Sequence, residues 1–241
     1  MRESFDFEVI GGGIAGLSVA SGLAPCGKVA LIEREPALAR HASGRSVAMF
    51  SVHSGNPVMR ALTRASRSFF EAPPPAWRDG PLLTPRGLLV LAPPEQLQAV
   101  AQESAAGRGE AAPWQELDGM AAAKLMPILD AARVGRALFD PEARQIEVDA
   151  LIAGYRRFLA AEGGTILLGV EVSALERHGA RWRLLGRDLE LAARIVVNAA
   201  GAWADELARR AGVTPVGIAA RRRSIAVMAA PSGVPATAIG W

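Results

Sequence analysis

Three glycines, Gly11, Gly13 and Gly16, stand where an apolar run over residues 5–10 gives way to a small-residue run over residues 14–24. A strand that must turn at once into a helix leaves few folds open to this chain. In the spacing G-x-G-x-x-G the first glycine turns the backbone tightly, the second lets it approach a pyrophosphate, and the third lets helix pack on strand. The N-terminus of such a helix offers unpaired N–H groups and the positive end of a dipole to phosphates. Residues 29–33 read as a second strand, and Glu33 ends it about 20 residues beyond the glycines, where an acid can accept hydrogen bonds from a ribose diol. Together these features predict a dinucleotide-binding Rossmann unit; an acid at the ribose position argues against a 2′-phosphate, even with Arg34 beside it.

The rest of the chain alternates strand-like and helix-like segments, so the expected class is α/β, with an inserted mixed α+β domain. Helical patterns are expected over 60–70, 95–104, 149–161 and 203–211, and strands over 88–91, 165–175, 181–185, 194–197 and 224–229. The Rossmann pattern returns only near residue 145. The expected division is therefore a cofactor-binding domain of 1–78 plus 145–214, and a substrate domain of 79–144 plus 215–241.

Composition removes several function classes. The net charge is +3, but lysine occurs only at 28 and 124 and no arginine run is interleaved with stacking aromatics, so a nucleic-acid partner is not expected. Cys26 is the only cysteine, which rules out an internal disulfide or a cysteine metal site and fits a reducing compartment. Apolar segments are interrupted before the roughly 20 residues of a membrane span. A cytoplasmic protein without a resident metal is expected.

The segment "HASGRSVAMF" after the second strand is rich in Gly, Ser and Arg, where a plain nicotinamide domain would begin another helix. Its amides and hydroxyls suit a longer cofactor that reaches a flavin. With "VIGGGIAGLS", "LIERE", "SGRS", "RALTRASRSFF", "PLLTPR", "VNAAGAW" and "RRS" in that order, the chain resembles the D-amino-acid-oxidase-like FAD-dependent oxidoreductases, and within them the bacterial FAD-dependent D-arginine dehydrogenases.

The resemblance implies FAD as cofactor and a hydride transfer that oxidises the Cα–N bond of an amine or D-amino acid. It implies that Gly11, Gly13, Ala15 and Gly16 hold the pyrophosphate and that Glu33 and Arg34 lie at the adenosine end. Ala42, Ser43, Gly44, Arg45, Ser46, Val47, Ala48 and Met49 would line the path to the flavin, Val172 would meet the adenine, and Ala200 and Gly201 would approach the cofactor again. Arg223 in "RRS" matches a carboxylate-side arginine, and Ser54 matches a substrate-side position. No side chain is assigned as a catalytic acid, base or nucleophile, because the cofactor carries the reaction.

The pattern also departs from the family. Met49 and Ser54 stand where the D-arginine dehydrogenases carry histidine and tyrosine, and Leu88 stands where they carry the acid that reads the cationic side chain. An apolar Leu88 cannot pair with a guanidinium, so the D-arginine preference does not carry over. His53, beside Ser54, is expected as a solvated loop histidine able in part to replace the lost polar group. Family members continue beyond the position matching Trp241, so a truncated product, or a second chain supplying the remainder, is expected. Two alternatives stay open: an inactive or partner-dependent FAD-binding fragment, and an NAD-dependent dehydrogenase.

Overall fold

The computed structural model describes residues 3–77, 80–106, 114–187, 189–222 and 224. In chain order the elements are β1 (Glu3–Ile10), α1 (Ile14–Leu23), β2 (Val29–Glu33), β3 (Met49–Phe50), α2 (Pro57–Glu71), β4 (Leu83–Pro85), β5 (Leu88–Ala92), α3 (Leu97–Ala106), β6 (Gln115–Leu117), α4 (Gly119–Leu125), β7 (Arg136–Asp140), β8 (Arg144–Ile146), α5 (Val148–Ala161), β9 (Thr165–Leu168), β10 (Ala174–His178), β11 (Arg181–Gly186), β12 (Leu189–Asn198) and α6 (Ala204–Arg210). They group into two compact units, the first drawn from 1–46, 74–80 and 148–223, the second from 47–73, 81–147 and 224–241.

The first unit is built on one six-stranded sheet in the order β10-β11-β12-β1-β2-β9. β12, β1, β2 and β9 run parallel, whereas β10 and β11 extend the sheet as an antiparallel hairpin. β2 shows why the sheet is covered on both faces: Val29 and Leu31 enter one core with Leu17, Ala20, Ile152 and Leu159, while Ala30 and Ile32 enter another with Leu175, Leu184 and Leu191. This period of two, with Val29 through Ile32 all apolar, marks a strand buried on both sides. Trp77 packs on α5 so closely that a Cβ on Gly154 would lie 1.9 Å from its ring, and its indole N–H donates to the Leu151 carbonyl at 3.1 Å. That contact holds 74–80 in the first unit.

The second unit contains two antiparallel three-stranded sheets, β3-β8-β4 and β5-β7-β6, the latter with a small core of Ala92, Val100, Trp114 and Leu138. The strand over 88–91 thus lies outside the parallel sheet that carries Val9.

Three expectations are corrected. The single strand expected over 165–175 is two strands on opposite edges of the sheet, because Gly169 adopts φ +70° and the chain then crosses the ends of the parallel strands. Residues 47–73 and 145–147, expected with the cofactor-binding part, group with the second unit: β3 and β4 pair with β8, and Arg144 meets Glu71 of α2 at 3.4 Å. Residues 215–222, expected in the substrate part, group with the first unit, because buried Asp205 accepts the N–H groups of Val216, Gly217 and Ile218 at 3.2, 3.0 and 2.8 Å. The strand expected over 224–229 lies outside the described residues, apart from Ser224, which is in no regular element.

Glu8 is the exception in the central strand. It sits on β1 between Val196 of β12 and Ala30 of β2, fully buried, and neither carboxylate oxygen has a hydrogen-bond partner among the described residues. Burial pushes its carboxyl up from 4.5 to about 7. The unfolded chain loses this proton near pH 4.5 and the folded chain keeps it to about 7. The contribution of Glu8 to stability is therefore greatest below pH 4.5 and falls as pH rises through this window. Above it the loss levels off at about 3 kcal/mol. Glu8→Leu is expected to remove this slope and to raise the melting temperature at pH 8; parallel slopes for parent and variant in calorimetry between pH 5 and 8 would exclude the effect.

Candidate functional site: a nucleotide cavity in the first unit

The carboxyl ends of β1, β2 and β12 converge on the N-terminus of α1, the place where parallel sheets bind ligands. Gly11 adopts φ +114°, and a Cβ there would lie 2.3 Å from the Ala199 carbonyl. A Cβ on Gly16 would lie 1.8 Å from the Gly11 carbonyl. These two glycines are required by the protein's own packing. Gly13 is different: it has ordinary extended backbone, and the nearest atom to an added Cβ is the Ser43 hydroxyl at 3.1 Å. An added Cβ would press on that hydroxyl by only a few tenths of an ångström, far less than at Gly11 or Gly16, so the missing side chain there also serves a ligand's approach.

The sequence pattern passed over Gly12. A Cβ on it would meet Leu38 at 2.6 Å and the Glu33 Cβ at 2.9 Å, and its N–H donates to Glu33 Oε2 at 2.6 Å. Glu33 Oε1 accepts the Glu35 N–H at 2.8 Å. The acid is therefore 9% exposed, with one N–H on each oxygen and further lone pairs for a ligand hydroxyl. At the helix end Gly13 has no side chain to cap with; Ser43 Oγ, from 29 residues away in sequence, accepts the Ile14 N–H at 3.0 Å instead.

These groups line a cavity of about 300 Å³ whose walls all belong to the first unit. Gly11, Gly13, Ala15, Glu33, Arg34, Ala42, Ser43, Val172, Ala200 and Gly201 lie on it. Gly16, Gly44, Arg45 and Ser46 do not; Gly44 serves the loop, since a Cβ there would meet the Ala39 carbonyl at 2.3 Å. Val47, Ala48 and Met49 belong to the second unit, where Met49 pairs with Gln145.

Further lining residues escaped the sequence reading. Trp203 carries the Arg34 guanidinium over its ring at 3.9 Å and has the His41 ring 4.7 Å away. Glu35 meets His41 Nε2 at 3.0 Å and Arg34 at 3.5 Å. The hydrogen bond with His41, aided by the charges of His41, Arg34 and Arg40, holds the Glu35 carboxyl below its usual range against the opposing effect of burial. The aromatic directly after Ala200-Gly201 and the histidine opening "HASGRS" were visible in the sequence, but their meeting was not. Asn198 shapes the turn between them and β12: its side chain donates to the Ala204 carbonyl at 2.7 Å and accepts the Ala200 N–H at 3.2 Å.

Neither Ser54 nor Leu88 lies on this cavity. Ser54 is exposed and lies with Val90, Ala92 and Trp114 on a second cavity of about 360 Å³ in the second unit; Leu88 pairs with Asp140. His53, expected in solvent, is 1% exposed because its ring packs 4.8 Å from Trp114. Arg223 lies outside the described residues, and Arg221 and Arg222 before it are exposed. Among the described residues no helix is long and apolar enough to cross a membrane, and no group of three or more His, Cys, Asp or Glu could hold a metal.

A parallel sheet, a glycine turn and an acid at the end of β2, sharing one cavity, define a dinucleotide-binding unit. The family model described as FAD dependent oxidoreductase (DAO) matches residues 6–240, and the chain belongs to that family, whose cofactor is FAD. Glycine oxidase from Geobacillus kaustophilus is similar in structure, with 25% identity and a TM-score of 0.76 over 88% of this chain and 59% of that one. L-proline dehydrogenase from P. horikoshii (20%, 0.72) and an L-alpha-glycerophosphate oxidase from Mycoplasma pneumoniae with FAD bound (20%, 0.70) share the fold, each over 88% of this chain and over 57% and 58% of theirs. The chain thus spans less than three-fifths of the length of each of these three.

The glycines separate packing from binding experimentally. Gly13→Ala is expected to fold with little change in melting temperature and to bind FAD at least tenfold more weakly, whereas Gly16→Ala is expected to lose several kcal/mol of stability. Thermal melts and FAD fluorescence titrations of the two variants check this; unchanged FAD affinity in Gly13→Ala would remove the ligand from that turn.

Proposed function

We propose that this chain binds FAD in the cavity of the first unit and forms the cofactor-holding part of an oxidoreductase that oxidises the Cα–N bond of an amine or amino acid, a D-amino acid foremost. The observation that carries the reading is that the glycine turn, Glu33 and the 199–201 turn line one cavity, with Gly13 on its wall and under much less packing constraint than Gly11 or Gly16. Gly13 and Ala15 at the start of α1 suit the pyrophosphate, and Glu33 suits the ribose diol. Bound FAD supplies a two-electron acceptor for the hydride leaving Cα.

On the protein side, the needs are orientation and charge. A substrate carboxylate calls for a cation, and Arg223 is the proposed partner because a guanidinium can bond it bidentately. Asp205, by fixing residues 216–218, anchors the strand of chain that leads to Arg223. Ser54 is proposed on the substrate side. Leu88, apolar in β5, supplies no carboxylate for a cationic substrate side chain, so small or apolar side chains fit better than D-arginine.

Purified protein is expected to show flavin absorbance, and in the oxidoreductase of which it forms part, anaerobic mixing with a panel of D- and L-amino acids and secondary amines is expected to bleach it for those with uncharged side chains. Absence of any flavin binding after reconstitution would overturn the cofactor assignment. Flavin bound but bleached by none of the panel would overturn the Cα–N assignment alone.

A further inference from the structure

One wall of the nucleotide cavity, residues 170–172, belongs to no strand or helix. Its ends are tied by backbone hydrogen bonds. Gly169 and Val170 donate to the carbonyls of Glu35 and Glu33 at 2.9 and 3.0 Å, and Ser173 donates to that of Leu185 at 2.8 Å. In the middle, the Val172 carbonyl accepts from a side chain, Arg210 Nη1 at 2.9 Å. Arg210 ends α6, and two carboxylates steady it: Glu206, one turn back, at 2.5 Å from Nη2, and Glu171, in the wall itself, at 3.4 Å from Nη1. A guanidinium can serve all three acceptors at once because its donors are held in a rigid fork.

We infer that Arg210 is a positioning residue for the bound nucleotide. The wall it steadies is hydrogen-bonded directly to the backbone of Glu33, the residue placed to read a ribose, so the wall borders the nucleoside end of the cavity. Arg210 fixes that end by joining the wall to α6, and a ligand then meets a cavity already shaped for it. Without the guanidinium the wall keeps its tied ends and the packing of the Val172 side chain, but the Val172 carbonyl loses its partner, and Glu171 and Glu206, both lining the cavity, are left as uncompensated negative charge beside an anionic ligand. The inference rests on the reading of this cavity as the FAD site.

The test measures ADP and FAD affinity by calorimetry on the full chain, with circular dichroism as a check of folding. Arg210→Leu is expected to bind both ligands at least tenfold more weakly with an unchanged spectrum. Arg210→Lys, which can reach the Val172 carbonyl but cannot also fork to both carboxylates, is expected to recover part of the loss, a rescue that loss of folding alone would not produce. Arg210→Leu binding ADP as the parent does would overturn the inference. If Arg210→Leu fails to fold, Arg210→Gln takes its place: a tenfold loss of ADP affinity supports the inference, and parental affinity overturns it. A parent chain that binds neither ADP nor FAD would overturn the cofactor reading itself, a result distinguishable from failure of Arg210 alone.

Discussion

The hydrogen bond from the Gly12 N–H to Glu33 Oε2, 2.6 Å long, is the contact on which the nucleotide site depends. It joins the turn after the first strand to the end of the second, and it forms only because residue 12 lacks the Cβ that would strike the Glu33 side chain. The acid is held in place before any ligand arrives, at the cost of burying a carboxylate, which two backbone N–H groups offset. From this point the site grows outward. Glu33 and Glu35 give their carbonyls to the 169–170 segment, Glu35 gives its carboxylate to His41 and Arg34, and these two flank Trp203.

How much of this was legible in the sequence depended on how far apart the interacting residues lie. The glycine turn, both flanking elements and Glu33 could be read because the cofactor imposes a fixed spacing on a short stretch. The crossing at Gly169 could not: "TILLGVEVSAL" is β-prone throughout, and only the sheet order reveals that its halves lie at opposite edges. Arg210 and Val172 are 38 residues apart in sequence, and no local pattern pairs an exposed helix arginine with a loop carbonyl. His53 was misjudged for the same reason, since loop position says nothing of the Trp114 ring that covers it.

The two kinds of polar burial in the first unit contrast sharply. Asp205 and Glu33 are buried with backbone donors on both oxygens, so their charge is compensated and each organises a length of chain. Glu8, three residues before the glycine turn, has no such donors and sits in the strand on which the sheet is centred. Once ionised, a carboxylate in that position weakens the element that carries the site.

The order of the sheet also bears on how the chain must fold. β1 lies at its centre, yet one of its two neighbours, β12, enters from nearly 190 residues downstream, with the Glu3–Leu191 pair at the start of the register. Closing so long a loop carries a large entropic cost before any contact repays it, and pairings of this kind make folding slow. During synthesis β1 and β2 emerge before β12, and the β12 side of β1 stays open while residues 47–147 of the second unit are made. Until residue 198 appears, that edge keeps backbone donors and acceptors without their native partner in the sheet, an opening for strand pairing with other chains.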